Sequence, residues 1–137
     1  MRLALEQARR ARAAGEVPVG AVLVGGDRVI AAGANRPIAA NDPTAHAEVL
    51  AIRRACQKLN DFELKDCELY TSCEPCPMCL GAIYWARLDR VYFASFAADA
   101  SKIGFDDSFI YREIALPLAQ RRIPMIQIMR AEALAAF

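Results

Sequence analysis

The chain has 137 residues, of which 55% are hydrophobic and 24% are charged. This composition is typical of a soluble globular protein, and the length fits one compact domain whose core needs no disulfides. Lys and Arg total 17 against 16 Asp and Glu, which leaves a net charge of +1. A dedicated binder of long nucleic acid is normally more basic, so the balance favours a small substrate, although a local basic face stays possible.

Five cysteines and an N-terminus that resembles an Arg-rich helix, rather than a secretory signal, indicate a reducing, cytoplasmic setting. No apolar run approaches the roughly 20 residues that span a bilayer, so no membrane partner is expected. Cys56, Cys67 and Cys73 are interpreted as small core residues.

In chain order, Leu3, Leu5, Ala8, Ala11 and Ala14 recur at helical spacing and predict an N-terminal helix with an apolar face. Gly15 is a natural end for that helix.

Residues 17–24 and 28–32 are rich in valine and alanine and flank a Gly-Gly-Asp turn, which predicts a hairpin of two buried strands. Residues 35–42 are predicted to form a loop, because Gly33, Pro37 and Pro43 interrupt any regular pattern.

Thr44 is predicted to cap a helix over residues 45–59. A strand over residues 68–72 leads into a second helix, over residues 75–87, that Pro75 can start.

A strand over residues 90–95, a helix over 109–115 and a last strand over 125–129 complete the prediction. Strands that alternate with helices after an opening hairpin predict a three-layer α/β/α sandwich around a central mixed five-stranded sheet. No repeat or linker interrupts the chain, so residues 1–137 are predicted to form a single domain.

Two short motifs carry candidate chemistry: Thr-Ala-His-Ala-Glu at residues 44–48 and Pro-Cys-Pro-Met-Cys at residues 75–79. They supply one imidazole (His46), two thiols (Cys76 and Cys79) and one carboxylate (Glu48). Three N and S ligands leave a fourth zinc position open for water, and a carboxylate beside them can shuttle a proton. The pattern predicts one catalytic Zn²⁺ and a hydrolytic deamination of a nucleobase.

Two simpler interpretations remain beside this one. Cys73 could act as a fourth ligand of a purely structural zinc site. Glu48 could be an ordinary first-turn carboxylate that the helix dipole favours.

The two motifs resemble those of the cytidine deaminase superfamily. The run Asn-Asp-Pro-Thr-Ala-His-Ala-Glu at 41–48 narrows the resemblance to the branch that holds bacterial guanine deaminases and tRNA adenosine deaminases. Residues 70–87 and 104–111, the latter reading Gly-Phe-Asp-Asp-Ser-Phe-Ile-Tyr, are similar to guanine deaminases. Val19 stands where guanine deaminases tend to have Phe, so the first strand is closer to the tRNA branch.

The resemblance implies a role for several further residues. It implies that Asp107 transfers a proton to the departing ammonia. It also implies that Asn35 forms a hydrogen bond with the purine ring. Ala47 and Cys76 are further substrate-binding candidates, since a backbone N–H at a helix start can steady developing charge. On the residues alone, Asp106 and Asp107 are a solvated pair or a helix cap, and Asn35 is a turn residue.

The expected activity is therefore conversion of free guanine to xanthine and ammonia by a homodimer. The alternative is conversion of adenosine to inosine at the tRNA anticodon, with the base flipped into the pocket. That alternative needs a basic face, which seven arginines could supply, although such residues more often form solvated surface. They are Arg9, Arg10, Arg12, Arg53, Arg54, Arg121 and Arg122.

Overall fold

A computed structural model describes the whole chain, Met1–Phe137. It divides into two compact units, Met1–Asp106 and Asp107–Phe137, and each is described by itself. The first unit holds an α/β fold with one mixed four-stranded sheet. No helix of the chain combines the length and the apolar character that a membrane-spanning segment requires.

The predicted N-terminal helix is confirmed as α1, Arg2–Ala13, and Gly15 follows it with a φ of 78°. The predicted buried face is partly wrong, because α1 buries Ala4, Ala8 and Ala11 while Leu3 and Leu5 lie exposed. The reason is a close approach between helix and sheet: a Cβ on Gly20 would lie 2.3 Å from backbone atoms of Ala4 and Ala8. Only alanine fits such an interface.

The predicted hairpin is also confirmed. Strands β1, Gly20–Gly25, and β2, Arg28–Ala34, pair antiparallel, with an irregularity between Leu23 and Val24. β2 is an edge strand, and two cations of a following helix cover its outward carbonyls. Arg54 donates to Ala32 O at 2.6 Å, and Lys58 donates to Ile30 O at 3.0 Å.

The predicted loop at 35–42 contains a short helix, α2, Pro37–Ala40. Helix α3 runs over Ala47–Leu59, and His46 is its N-cap residue. Thr44 is therefore not the cap that the sequence predicted. Its N–H and hydroxyl instead donate to the carboxylate of Asp42, at 2.8 and 2.7 Å, in a turn that precedes the helix.

Strand β3, Cys67–Cys73, helix α4, Pro77–Trp85, and strand β4, Arg90–Ser95, follow as predicted, apart from shorter helix ends. The sheet order is β2-β1-β3-β4, with β3 antiparallel to β1 and parallel to β4. β3 is thus hydrogen-bonded on both sides, which makes it a rigid central element.

Two glycines show how the helices lie on this sheet. Gly20 approaches α1, while a Cβ on Gly33 would lie 2.2 Å from Ala47 O in α3. Gly33 pairs with Ala21, the neighbour of Gly20 in β1. Because successive strand residues point to opposite faces, α1 and α3 contact opposite faces of the sheet.

The core lies mainly between the sheet and α3, with Leu64 and residues of α4 closing one end. Its fully buried members come chiefly from the strands and the inner face of α3. They include Ala21, Leu23, Ala47, Ala51, Ala55, Leu64 and Leu69.

After β4 a short helix that was not predicted, α5, spans Ala97–Ser101. The second unit holds α6, Ser108–Ala115, which was predicted, a 3₁₀ turn at Leu118–Gln120, and α7, Arg130–Leu134. The predicted strand at 125–129 is wrong: the segment pairs with no strand, and Ile126 and Ile128 are largely exposed. The sheet therefore has four strands rather than five, because an apolar run without a pairing partner does not form a ladder.

Candidate active site

The predicted zinc ligands meet where the N-termini of two helices converge. His46 is the N-cap residue of α3, Cys76 is the N-cap residue of α4, and Cys79 lies in the first turn of α4. His46 Nδ1 lies 3.5 Å from Cys76 Sγ and 3.6 Å from Cys79 Sγ. The three ligand atoms all fall within 4.8 Å of one another. His46, which lies 30 and 33 positions before the two cysteines, therefore joins them in one group.

This spacing fits zinc. A tetrahedral zinc with Zn–N of about 2.0 Å and Zn–S of about 2.3 Å places its nitrogen and sulfur ligands about 3.5 Å apart. The observed 3.5 and 3.6 Å match that edge length. Cys73 is not part of the group, so the three-ligand arrangement, with one tetrahedral position left over, is the one that the structure presents.

Local electrostatics separate Cys76 from the other cysteines. A hydrogen bond from Cys79, reinforced by His46, lowers the pKa of the Cys76 thiol to about 4. A thiolate is the form of cysteine that binds metal. The same hydrogen bond raises the pKa of the Cys79 thiol, and burial raises the pKa of Cys56 and of Cys67. Cys67 is buried in the core, whereas Cys56 is half-buried against it.

Glu48 lies beside the ligand group and is only 2% exposed. Its Oε2 is 3.5 Å from Cys79 Sγ, and its Oε1 accepts a hydrogen bond from the Thr71 hydroxyl at 3.2 Å. Burial raises the pKa of this carboxyl above its ordinary value. A carboxylate with a raised pKa is a stronger base than an exposed first-turn glutamate, which suits it to accept a proton.

Asn35 is buried at the end of β2, and its side chain is fixed by α3. Its Oδ1 accepts the N–H of Ala47 at 2.7 Å, and Ala47 stands between His46 and Glu48 in the chain. This hydrogen bond fixes the orientation of the Asn35 amide, with Oδ1 towards Ala47. The two Nδ2 hydrogens then point away from Ala47 and can donate to another group. Val19, half-buried, accepts the Asn35 N–H with its own carbonyl.

Asp107 belongs to the second unit, where it is the N-cap residue of α6. Its carbonyl accepts the N–H of Ile110 at 2.9 Å. The position of Asp107 in the backbone therefore matches the helix-cap interpretation. Its role in catalysis stays a prediction.

No role was predicted from the sequence for Thr71, which contacts Glu48. Thr71 lies in β3, 23 positions after Glu48. A signal was available, since Thr71 alternates with Leu69 on one face of a buried strand, where a polar side chain calls for a partner.

The comparisons with known proteins agree with this geometry. Residues 1–95 match the family model described as the cytidine and deoxycytidylate deaminase zinc-binding region. The chain belongs to this family, and the superfamily predicted from the two motifs is confirmed.

Among individual relatives, the chain is 57% identical to the guanine deaminase of Bacillus subtilis over 120 residues, 88% of this chain and 77% of the relative. It is 45% identical to a tRNA-specific adenosine deaminase of Aquifex aeolicus over 95 residues, 69% of this chain and 63% of that one.

Solved structures also match the chain. The crystal structure of the Bacillus subtilis guanine deaminase matches with a TM-score of 0.95 and 52% identity, covering 98% of this chain and 87% of that one. A structure of NE0047 in complex with 2,6-diaminopurine matches with a TM-score of 0.74 and 38% identity, covering 77% of this chain and 60% of that one.

Proposed function

We propose that this protein deaminates free guanine to xanthine and ammonia. The observation that carries the proposal is the buried carboxyl of Glu48 beside a His-Cys-Cys group spaced for zinc. A purely structural zinc site would have four protein ligands and no need of that carboxyl. The similarity to a guanine deaminase over 88% of the chain supports guanine as the base.

His46, Cys76 and Cys79 would hold one zinc ion per chain. Bound there, zinc would supply a Lewis acid that makes water nucleophilic near neutral pH. The chain's own part is to place two helix N-termini so that the three ligands face one point, and to favour the thiolate form of Cys76.

Glu48 is the proton carrier. In the overall reaction, the oxygen of water forms a bond to C2 of guanine, the bond from C2 to the exocyclic nitrogen breaks, and ammonia leaves. A proton must move from the water to the purine, and a second must reach the departing nitrogen. Glu48 is placed for the first transfer, because its Oε2 lies at the edge of the ligand group and its pKa is raised by burial.

Three further residues, and the backbone of Cys76, have proposed roles in the reaction. The Nδ2 of Asn35 donates to the purine ring, since its Oδ1 is already held by Ala47. Ala47 acts through that bond, and the backbone N–H of Cys76, at the start of α4, steadies developing charge. Asp107 escorts the second proton to the leaving ammonia, a role that rests on the family resemblance.

We also propose the finer features predicted from the sequence. Residues 1–137 act as a single deaminase domain, in which helices on both faces of the sheet make three layers; the opposite placement of α1 and α3 supports this. The protein acts as a cytoplasmic homodimer, and its five free cysteines suit a reducing compartment.

Deamination of adenosine in tRNA is the second candidate, supported by the 45% identity to a tRNA-specific adenosine deaminase. An enzyme that binds tRNA needs cationic side chains that are free to contact the phosphates of the nucleic acid. Here Arg10 pairs with Glu6 and Arg53 with Asp42, while Arg54 covers the edge of β2. For these three arginines, the contacts favour the solvated-surface interpretation over a nucleic-acid face.

The deciding experiment is ammonia release by the zinc-loaded protein from guanine, adenine, cytosine and a tRNA anticodon stem-loop. Glu48→Gln, which keeps shape but cannot carry the proton, is the matched control, with zinc content measured in both proteins. We expect turnover of guanine that is insensitive to salt and that disappears in Glu48→Gln at unchanged zinc. Turnover of the stem-loop alone, falling steeply with salt, would replace the proposal by the tRNA reaction.

A further inference from the structure

Thr71 occupies a position from which it can control the orientation of Glu48. Thr71 is completely buried, and its hydroxyl donates to Glu48 Oε1 at 3.2 Å. Its strand, β3, is paired on both sides, with Ala21 opposite Thr71 in β1 and Phe93 opposite it in β4. Ala21 also pairs with Gly33, which touches α3, so Thr71 lies on the face of the sheet that carries α3.

The two oxygens of Glu48 consequently have different surroundings. Oε1 meets a hydroxyl on a strand that is paired on both sides, whereas Oε2 lies 3.5 Å from Cys79 Sγ, at the ligand group. A glutamate side chain has three rotatable bonds, and a hydrogen bond to one oxygen removes rotations that would turn the other away.

We propose that Thr71 is a positioning residue of the deamination: its hydroxyl holds Glu48 Oε1, so that Oε2 alone faces the reaction and carries the proton. The inference rests on the proposed function, because it assumes that Glu48 moves a proton during turnover. Thr71 is not a member of the ligand group. Its contribution is to keep the proton carrier in the productive orientation before the substrate arrives.

The test compares three substitutions. Thr71→Val removes the hydroxyl and keeps the shape, and Thr71→Ser keeps the hydroxyl and loses a methyl group. Ser72→Ala is the matched control: Ser72 is the next residue of β3, points to the opposite face, and has a buried hydroxyl that accepts the N–H of Gly20. Loss of that hydroxyl costs stability without touching Glu48.

We expect Thr71→Val to lower kcat roughly 10- to 100-fold, the range of a lost hydrogen bond to a charged group, with KM and zinc content unchanged. Thr71→Ser should restore kcat to within a few-fold of the native value, and Ser72→Ala should keep kcat while unfolding at lower urea. If Thr71→Val proves too unstable, Thr71→Cys, a weaker donor of similar size, should give an intermediate kcat.

A second readout needs no turnover. In urea unfolding of the zinc-loaded chain, a double-mutant cycle of Thr71→Val with Glu48→Leu, which removes the acceptor, should show coupling of roughly fivefold or more in the unfolding equilibrium constant. The cycle of Ser72→Ala with Glu48→Leu should be additive.

Several results would overturn the inference. They are an unchanged kcat in Thr71→Val, equal loss in Thr71→Val and Thr71→Ser, loss of zinc together with activity, or no coupling between positions 71 and 48. These outcomes are distinct from failure of the proposed function, which would show as an unreactive native protein. In that case the coupling in the unfolding cycle would still report whether the contact exists.

Discussion

Gly33 lies against the first turn of α3, and substituting it tests how tightly the site is positioned. In Gly33→Ala the new Cβ would lie 2.2 Å from Ala47 O, whereas ordinary contact begins at 3.4 Å. The helix start must therefore retreat by about 1.2 Å, or the strand must yield. Ala47 stands between His46 and Glu48, so both side chains move with it.

Gly33→Ala is expected to lower both the stability of the protein and its catalytic rate. Overpacking of this kind destabilises a protein by about 1–3 kcal/mol. A displacement of about 1 Å in a catalytic constellation costs about 100-fold in rate. Gly33→Ala should thus lower both the urea midpoint and the kcat of the folded protein, and it should weaken zinc binding because His46 leaves its position.

Gly20→Ala is the matched control, because its Cβ would lie 2.3 Å from Ala4 O and Ala8 N in α1, which carries no proposed site residue. Both variants are compared for urea midpoint, zinc content and kcat corrected for the folded fraction. Equal loss of kcat in the two variants, or none in Gly33→Ala, would refute the reasoning that the contact with α3 sets the site geometry.

Three further predictions follow from single contacts. Leu69→Ala, at a fully buried position of β3, should destabilise by about 2–5 kcal/mol in urea unfolding, because the cavity cannot collapse between two paired strands. Cys79→Ser should abolish zinc retention after dialysis, measured by atomic absorption, while Cys56→Ser leaves it unchanged. Hydrogen bonds from Thr44 lower the pKa of Asp42, so its small stabilising effect is present above the unfolded value near 4 and is lost as pH falls through the folded value. In Thr44→Val, NMR titration should show the pKa of Asp42 moving up.

The proximity of the two cysteines was predictable because the information is local. Cys76 and Cys79 stand three positions apart at a helix start, which places them on one face whatever surrounds them. That His46 joins them depends on two helix N-termini meeting across the sheet, and this followed from the family motif rather than from spacing.

The errors in the sequence analysis have physical causes. Leucine outranks alanine in hydrophobicity, yet α1 buries alanine because the sheet approaches too closely for larger side chains. Thr44 has the chemistry of a cap, but Asp42 competes for its hydroxyl. The strand predicted at 125–129 had the right composition and no partner, and pairing is a property that composition does not encode. The contact of Thr71 with Glu48 was missed for a similar reason, since it joins a strand to a helix across 23 positions.

The cover that Arg54 and Lys58 place over β2 has a consequence for the protein at high concentration. An edge strand with bare carbonyls is a template on which another chain can add a strand, the first step of aggregation. With a net charge of only +1, whole-molecule repulsion offers little protection against such encounters. Two cations on one helix protect this edge locally, where the overall charge offers little repulsion.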